Sequence, residues 1–324
     1  MREAAELFLR EATSRPDFPE ALVAHRACGN TCVYFGDFAG AHDHFQKTVQ
    51  LYDPARHGDF ANRFGQDPRA AAEIFDALAL WVLGQIDDSL RCADRALADA
   101  KTSTHVPTMS FVHYFRALLG LIRGKSEAIT ADSRELADIV SRYDLPGFLA
   151  GIAAFFQGST GWLRGEGEAG LAAMRRGIAI FRQQGMVYIV PSFEAALAEA
   201  EAGAGETDGA LRRLDDVLAG LKATENRWYE AEIHRIRAGI LLKRDPADTA
   251  AAKEALQAAI AIAQSQKALS FELRAALFLA RLHRAANRDA DAHAVLAPAI
   301  EGFPPTQQFP ELTEAQTLLS ALSP

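Results

Sequence analysis

A small residue followed seven positions later by a residue that tolerates left-handed backbone recurs seven times along this chain. That spacing restricts what the chain can fold into. The pairs are Gly29 and Gly36, Ala77 and Gly84, Ala117 and Gly124, Gly158 and Gly165, Ala198 and Gly205, Ala238 and Asp245, and Ala280 and Asn287. Successive small residues lie 48, 40, 41, 40, 40 and 42 apart, a period near forty with one longer first step. Self-similarity of this kind marks stacked supersecondary units, none of which buries its apolar face alone. A small side chain lets one helix approach the next closely, and Gly, Asn or Asp accepts the backbone conformation that ends a helix. Each pair therefore reads as helix, turn, helix.

The second helix of each hairpin should begin with a small contact and carry large apolar residues one and two turns later. Ala41 and Phe45 do this after Gly36, Ala210 and Leu214 after Gly205, and Ala292, Leu296 and Ala299 after Asn287. The third hairpin drifts, with Ala128 one place early. In the sixth, Asp245-Pro246-Ala247-Asp248 predicts a lengthened turn, and Ala252, Leu256 and Ala259 take the packing positions. These offsets resemble the tetratricopeptide repeat, with about one extra turn per helix to extend its usual period. The resemblance implies an all-α fold, a right-handed superhelical solenoid of about seven hairpins forming a single domain over 1–324. Apolar residues make up 49% of the chain, and much of that is Ala and Leu rather than β-branched, which favours helix.

Three segments lie outside the repeat. Residues 2–13 predict an amphipathic helix, and 1–16 as a whole reads as the trailing half of a truncated repeat. The stretch 52–68, rich in Pro, Gly and Asp, fills the longer first step as an ordered inter-repeat loop or short helix. At the other end, 310–322 places Leu312, Ala315, Leu318, Leu319 and Leu322 on one face, as a terminal capping helix requires.

A net charge of −8 and a pI near 5.6 argue against a broad phosphate-binding face, so nucleic acid is not an expected partner. Cys28, Cys32 and Cys92 are too few for a disulfide framework and have no C-x-x-C spacing. No apolar run reaches the length of a membrane span and the N-terminus does not read as a signal peptide, so no membrane association and a cytoplasmic location are expected.

No motif carries catalytic chemistry. There is no G-x-S-x-G elbow, H-E-x-x-H pair or G-x-x-x-x-G-K-[ST] phosphate loop, so no catalytic residue, metal or cofactor is expected. His42, Asp43 and His44 diverge around a helix and read as a solvated face. Cys28 and Cys32 share a face and read as packing beside Gly29. Arg164-Gly165-Glu166-Gly167 reads as a hairpin turn. In a stacked array the first helix of each hairpin lines the concave wall, with four positions around the small landmark pointing inward. This register selects Arg26, Asn30, Trp81, Phe111, Tyr114, Phe155, Trp162, Glu199, Glu232 and Arg235 as groove-binding candidates. The aromatics fit either a concave binding wall or the inter-helix core, and Glu232 with Arg235 fits an internal ion pair as well as a ligand contact.

Blocks at 34–45 (YFGDFAGAHDHF), 51–57 (LYDPARH), 64–68 (FGQDP), 227–242 (RWYEAEIHRIRAGILL), 270–284 (SFELRAALFLARLHR) and 301–319 (EGFPPTQQFPELTEAQTLL) carry a more specific likeness. Together they resemble the C-terminal helical-repeat region of bacterial proteins that join a class III adenylate or guanylate cyclase domain to a STAND-type ATPase. The resemblance implies a non-catalytic sensor or regulatory arm that binds a protein or peptide in its groove, with a metabolite bound inside the superhelix as the alternative.

Overall fold

The computed structural model describes residues 1–14, 19–145, 147–304, 307 and 309–322, and every regular element among them is an α-helix. Helix α1 (Arg2–Thr13) precedes the first hairpin, α2 (Ala21–Phe35) and α3 (Phe38–Leu51). Two short helices, α4 (Pro54–His57) and α5 (Phe60–Phe64), fill the longer step. Six further hairpins follow: α6 (Pro68–Val82) with α7 (Ile86–Ser103), α8 (Val106–Ile122) with α9 (Ser126–Tyr143), α10 (Gly147–Leu163) with α11 (Glu168–Gln183), α12 (Val190–Gly203) with α13 (Thr207–Thr224), α14 (Glu230–Arg244) with α15 (Thr249–Ser265), and α16 (Leu269–Ala285) with α17 (Asp289–Glu301). Helix α18 (Pro310–Leu322) closes the chain. Consecutive helices pack on one another, the arrangement of an α-solenoid. Residues 15 and 16 of the expected trailing helix lie outside the described residues. None of the described helices is long and apolar enough to cross a membrane.

The repeated landmark has the physical role its spacing implies. Gly36, Gly84, Gly124, Gly165 and Gly205 all have positive φ, as does Asn287 at 55°, so six of the seven turns reverse through left-handed backbone. Asp245 is the exception at φ −142°. It precedes Pro246, whose ring drives the preceding residue to extended backbone, and its carboxylate accepts from the Ala247 N–H at 3.0 Å. The small landmarks are buried at the helix crossings: a Cβ on Gly29 would sit 2.5 Å from Phe45 Cε1 and one on Gly158 2.6 Å from the Gly170 carbonyl. The drift in the third hairpin is resolved by exchange. Ile129 is fully buried where the first, fifth and last hairpins carry alanine, and its room comes from Gly120 opposite, whose Cβ would lie 3.1 Å from Ile129 Cγ1.

The helices group into two compact units, residues 1–79 with 88–193, and 80–87 with 194–324. In the first unit Leu22 and Val23 of α2 pack on Phe60 of α5, and Cys28 Sγ donates to the Ala5 carbonyl, tying α1 to α2. Asp67 caps α6 by accepting from the N–H groups of Arg69 and Ala70. In the second unit Ser270 Oγ donates to the Trp81 carbonyl at 2.6 Å, Trp81 packs edge-on to Phe271, and Leu312, Ala315 and Leu318 of α18 cover the apolar face of α16 and α17.

Candidate ligand cavity

Arg26, Asn30 and Tyr34 fall at i, i+4 and i+8 of α2 and therefore share one face. That face forms one wall of a cavity of about 560 Å³ in the first unit, within the range of small-molecule sites. Phe75 of α6, Phe111, Tyr114 and Phe115 of α8, Leu149 of α10 and the link 185–189 supply the remaining walls, with Gln66 at the edge. The rings interlock: Tyr34 stacks on Tyr188 with centroids 5.0 Å apart and meets Phe75 edge-on, and Phe75 lies against Phe111 at 5.8 Å and Phe115 at 4.4 Å.

Three polar atoms in this apolar setting have no partner. Arg26 Nε, Asn30 Oδ1 and the Tyr114 hydroxyl are buried and make no hydrogen bond, and all three residues line the cavity. An unmade bond on a buried polar group costs about 1 to 3 kcal/mol, and the three residues that carry these atoms border one space. Arg26 Nη1 donates to Gln66 Oε1 at 2.8 Å, a neutral partner. Burial lowers the Arg26 guanidinium to about 10, with nearby Asp67 opposing the shift, so it stays cationic at neutral pH. Burial, and then the neighbouring Tyr188, raises the Tyr34 phenol, and burial likewise raises that of Tyr114; both remain protonated donors.

Of the ten groove candidates, Arg26, Asn30, Phe111 and Tyr114 converge on this cavity. Phe155 does not face a groove. It is fully buried, 4.6 Å from the Phe193 ring and packed on Phe156 and Phe181, because α10 and α11 close on each other through glycines at 158, 170 and 177 and cover its side. Trp162 is half-buried. In the second unit Trp81 is also core, with the Arg274 guanidinium 4.7 Å over its ring. Glu232 is buried in an ion pair with Arg235 at 3.0 Å, joined by Arg274 at 3.4 Å, while Glu199 is exposed. His42 and His44 are not simply solvated: His42 Nδ1 lies 2.8 Å from Asp76 Oδ1 and His44 Nδ1 lies 3.0 Å from His25 Nδ1. The hydrogen bond to Asp76 raises His42, and burial lowers His25 and His44. Tyr34, Gln66 and Tyr188 were outside the concave-wall register. Their available signals were the ladder Arg26, Asn30, Tyr34 along one helix face and the apolar run Met186-Val187-Tyr188-Ile189 in a link that should otherwise be polar.

No protein-family model matches the chain. It is similar to an uncharacterized protein of Rhizobium meliloti (strain 1021), 26% identical over 252 residues that cover 76% of this chain and 24% of that protein, so the chain spans about a quarter of its relative's length. Among solved structures it is similar to yeast Tom70, at 14% identity and a TM-score of 0.49, over 99% of this chain and 58% of that one.

Proposed function

We propose that the chain is a recognition module without chemistry of its own, which binds a small apolar-bodied ligand in the first-unit cavity and serves as the regulatory arm of a larger signalling protein. The observation that carries this reading is an aromatic cavity of about 560 Å³ bordered by Arg26, Asn30 and Tyr114, each of which keeps a buried polar atom without a partner. Mostly apolar walls with a few fixed polar groups are the usual make-up of a small-molecule site. The residues lining it include no carboxylate, histidine, thiol or serine, so they supply neither a general base near neutral pH nor the usual nucleophiles. A small ligand is favoured over a peptide laid in an open groove because Phe155 and Trp81, two aromatics of the expected groove wall, are core residues. The regulatory role draws its support from the resemblance to cyclase and ATPase signalling proteins; the ligand-bound module would then act on a protein partner.

Titration with N-phenyl-1-naphthylamine, a neutral fluorophore that brightens in dry apolar surroundings, tests the cavity directly. Brightening should saturate at one site on the parent protein. Phe111→Ala removes a ring from the wall and should weaken binding several-fold while the helical circular-dichroism signal is retained. A folded parent showing no saturable brightening would sink the reading.

A further inference from the structure

Arg26 differs from the other half-buried arginines in what it lacks. Arg213 is paired with Glu194 and Glu201, Arg235 with Glu232, and Arg116 with Asp132 and Asp94. Arg26 enters no ion pair among the described residues and has only the Gln66 amide oxygen as a partner. Asp67 is close enough to influence it, but both Asp67 oxygens are already engaged: one accepts from the Arg69 and Ala70 N–H groups and the other from the Tyr52 hydroxyl at 2.8 Å. In a chain of net charge −8, an unpaired guanidinium in an aromatic cavity is a local departure from the general balance.

A half-buried cation without a counter-charge favours an anion that brings one. A guanidinium fork matches the two oxygens of a carboxylate. Arg26 is the single charged side chain among the lining residues. The wall positions on α2 lie inside the helix, where backbone N–H groups are already used. One cation among the lining residues suits a monoanion better than a phosphate dianion, which draws on several cations.

Resting on the small-ligand reading above, we infer that the cavity is built for an organic monocarboxylate, its carboxylate held by Arg26 and its apolar body lying against Tyr34, Phe75 and Phe111. The test is competition against the bound neutral fluorophore by 4-phenylbutyrate and by its uncharged isostere, 4-phenylbutyramide. On the parent the acid should displace the fluorophore at least tenfold more effectively than the amide. Arg26→Gln should bring the two competitors to near equality by weakening the acid and leaving the amide unchanged, and Arg26→Lys should keep a preference for the acid. Equal displacement by acid and amide on the parent, or an acid preference that survives in folded Arg26→Gln, would overturn the inference while fluorophore binding leaves the cavity reading standing. If Arg26→Gln does not fold, the parent ratio and Arg26→Lys decide: an acid preference kept with lysine supports the assignment, and its loss with lysine, like no preference on the parent, refutes it. Absence of fluorophore binding to the parent would instead remove the cavity reading itself.

Discussion

Gly158 and Gly220 both sit inside helices, but their surroundings give a methyl group opposite consequences. At 158 the added Cβ would meet the Gly170 carbonyl at 2.6 Å and the Met174 nitrogen at 2.8 Å, backbone atoms that cannot turn aside. At 220 nothing lies within 4 Å. Gly158→Ala should therefore lower stability by about 1 to 3 kcal/mol through overpacking, whereas Gly220→Ala should raise it by up to about 1 kcal/mol through helix propensity; urea midpoints at constant m check both. Glu73 adds a pH dependence. Burial first, and then the charge of Asp99, lifts its carboxyl to about 7, while Arg69 and Arg95 pull the other way. Because the folded-state value lies above the unfolded one, this group's contribution is fully present below the unfolded value and is lost as pH rises toward 7. The loss is up to about 3 kcal/mol. Buried Asp76, also raised, acts with the same sign, so Glu73→Gln should flatten the stability profile between pH 5 and pH 7 without abolishing it, and should be more stable than the parent at pH 8. An unchanged slope would place the titration elsewhere.

At the scale of elements, the helix boundaries were legible because turn chemistry is local. Glycine and asparagine mark six reversals by φ alone, and Pro246 announces the remaining one, in the sixth hairpin, as a different turn by its effect on Asp245. The exchange of Ile129 for alanine against Gly120 was not legible, since each residue looks irregular until the partner helix is known. The burial of Phe155 escaped for a similar reason: helix periodicity places a side chain on a face but does not say how closely the next helix approaches. Long-range polar pairing is hidden in the same way, and one such pairing joins α12 to α13. Arg213 of α13 donates through Nε and Nη2 to Glu201 and through Nη1 to Glu194 at 2.7 Å, and both carboxylates are at most 5% exposed. Arg213→Met leaves two buried negative charges facing each other, which should cost about 3 to 5 kcal/mol at neutral pH. Urea midpoints at neutral pH read the loss, and a deficit under about 1 kcal/mol would instead show that the pairing adds no more than an exposed ion pair does.

At the scale of the molecule, the repeat was readable and the cavity was not. A repeat is a one-dimensional pattern, whereas the cavity is assembled from Arg26 and Tyr34 on α2, Phe111 and Tyr114 on α8, and Tyr188 in the link after α11, residues that share no sequence spacing. The same dispersal makes the cavity a coupling point. In a stack of hairpins each repeat is stabilised mainly by its immediate neighbours, but a ligand that touches α2, α8 and the 185–189 link binds only when all three are in place. At 100 times its dissociation constant such a ligand adds about 2.7 kcal/mol to the stability of the state it binds, and local opening of every wall segment is then opposed by the same interaction. Hydrogen exchange with saturating 4-phenylbutyrate should therefore slow together in α2, α8 and the link. Tyr188→Ala, which removes the ring stacked on Tyr34, should weaken binding and reduce that protection in all three. Protection confined to a single helix would place the acid at some other surface.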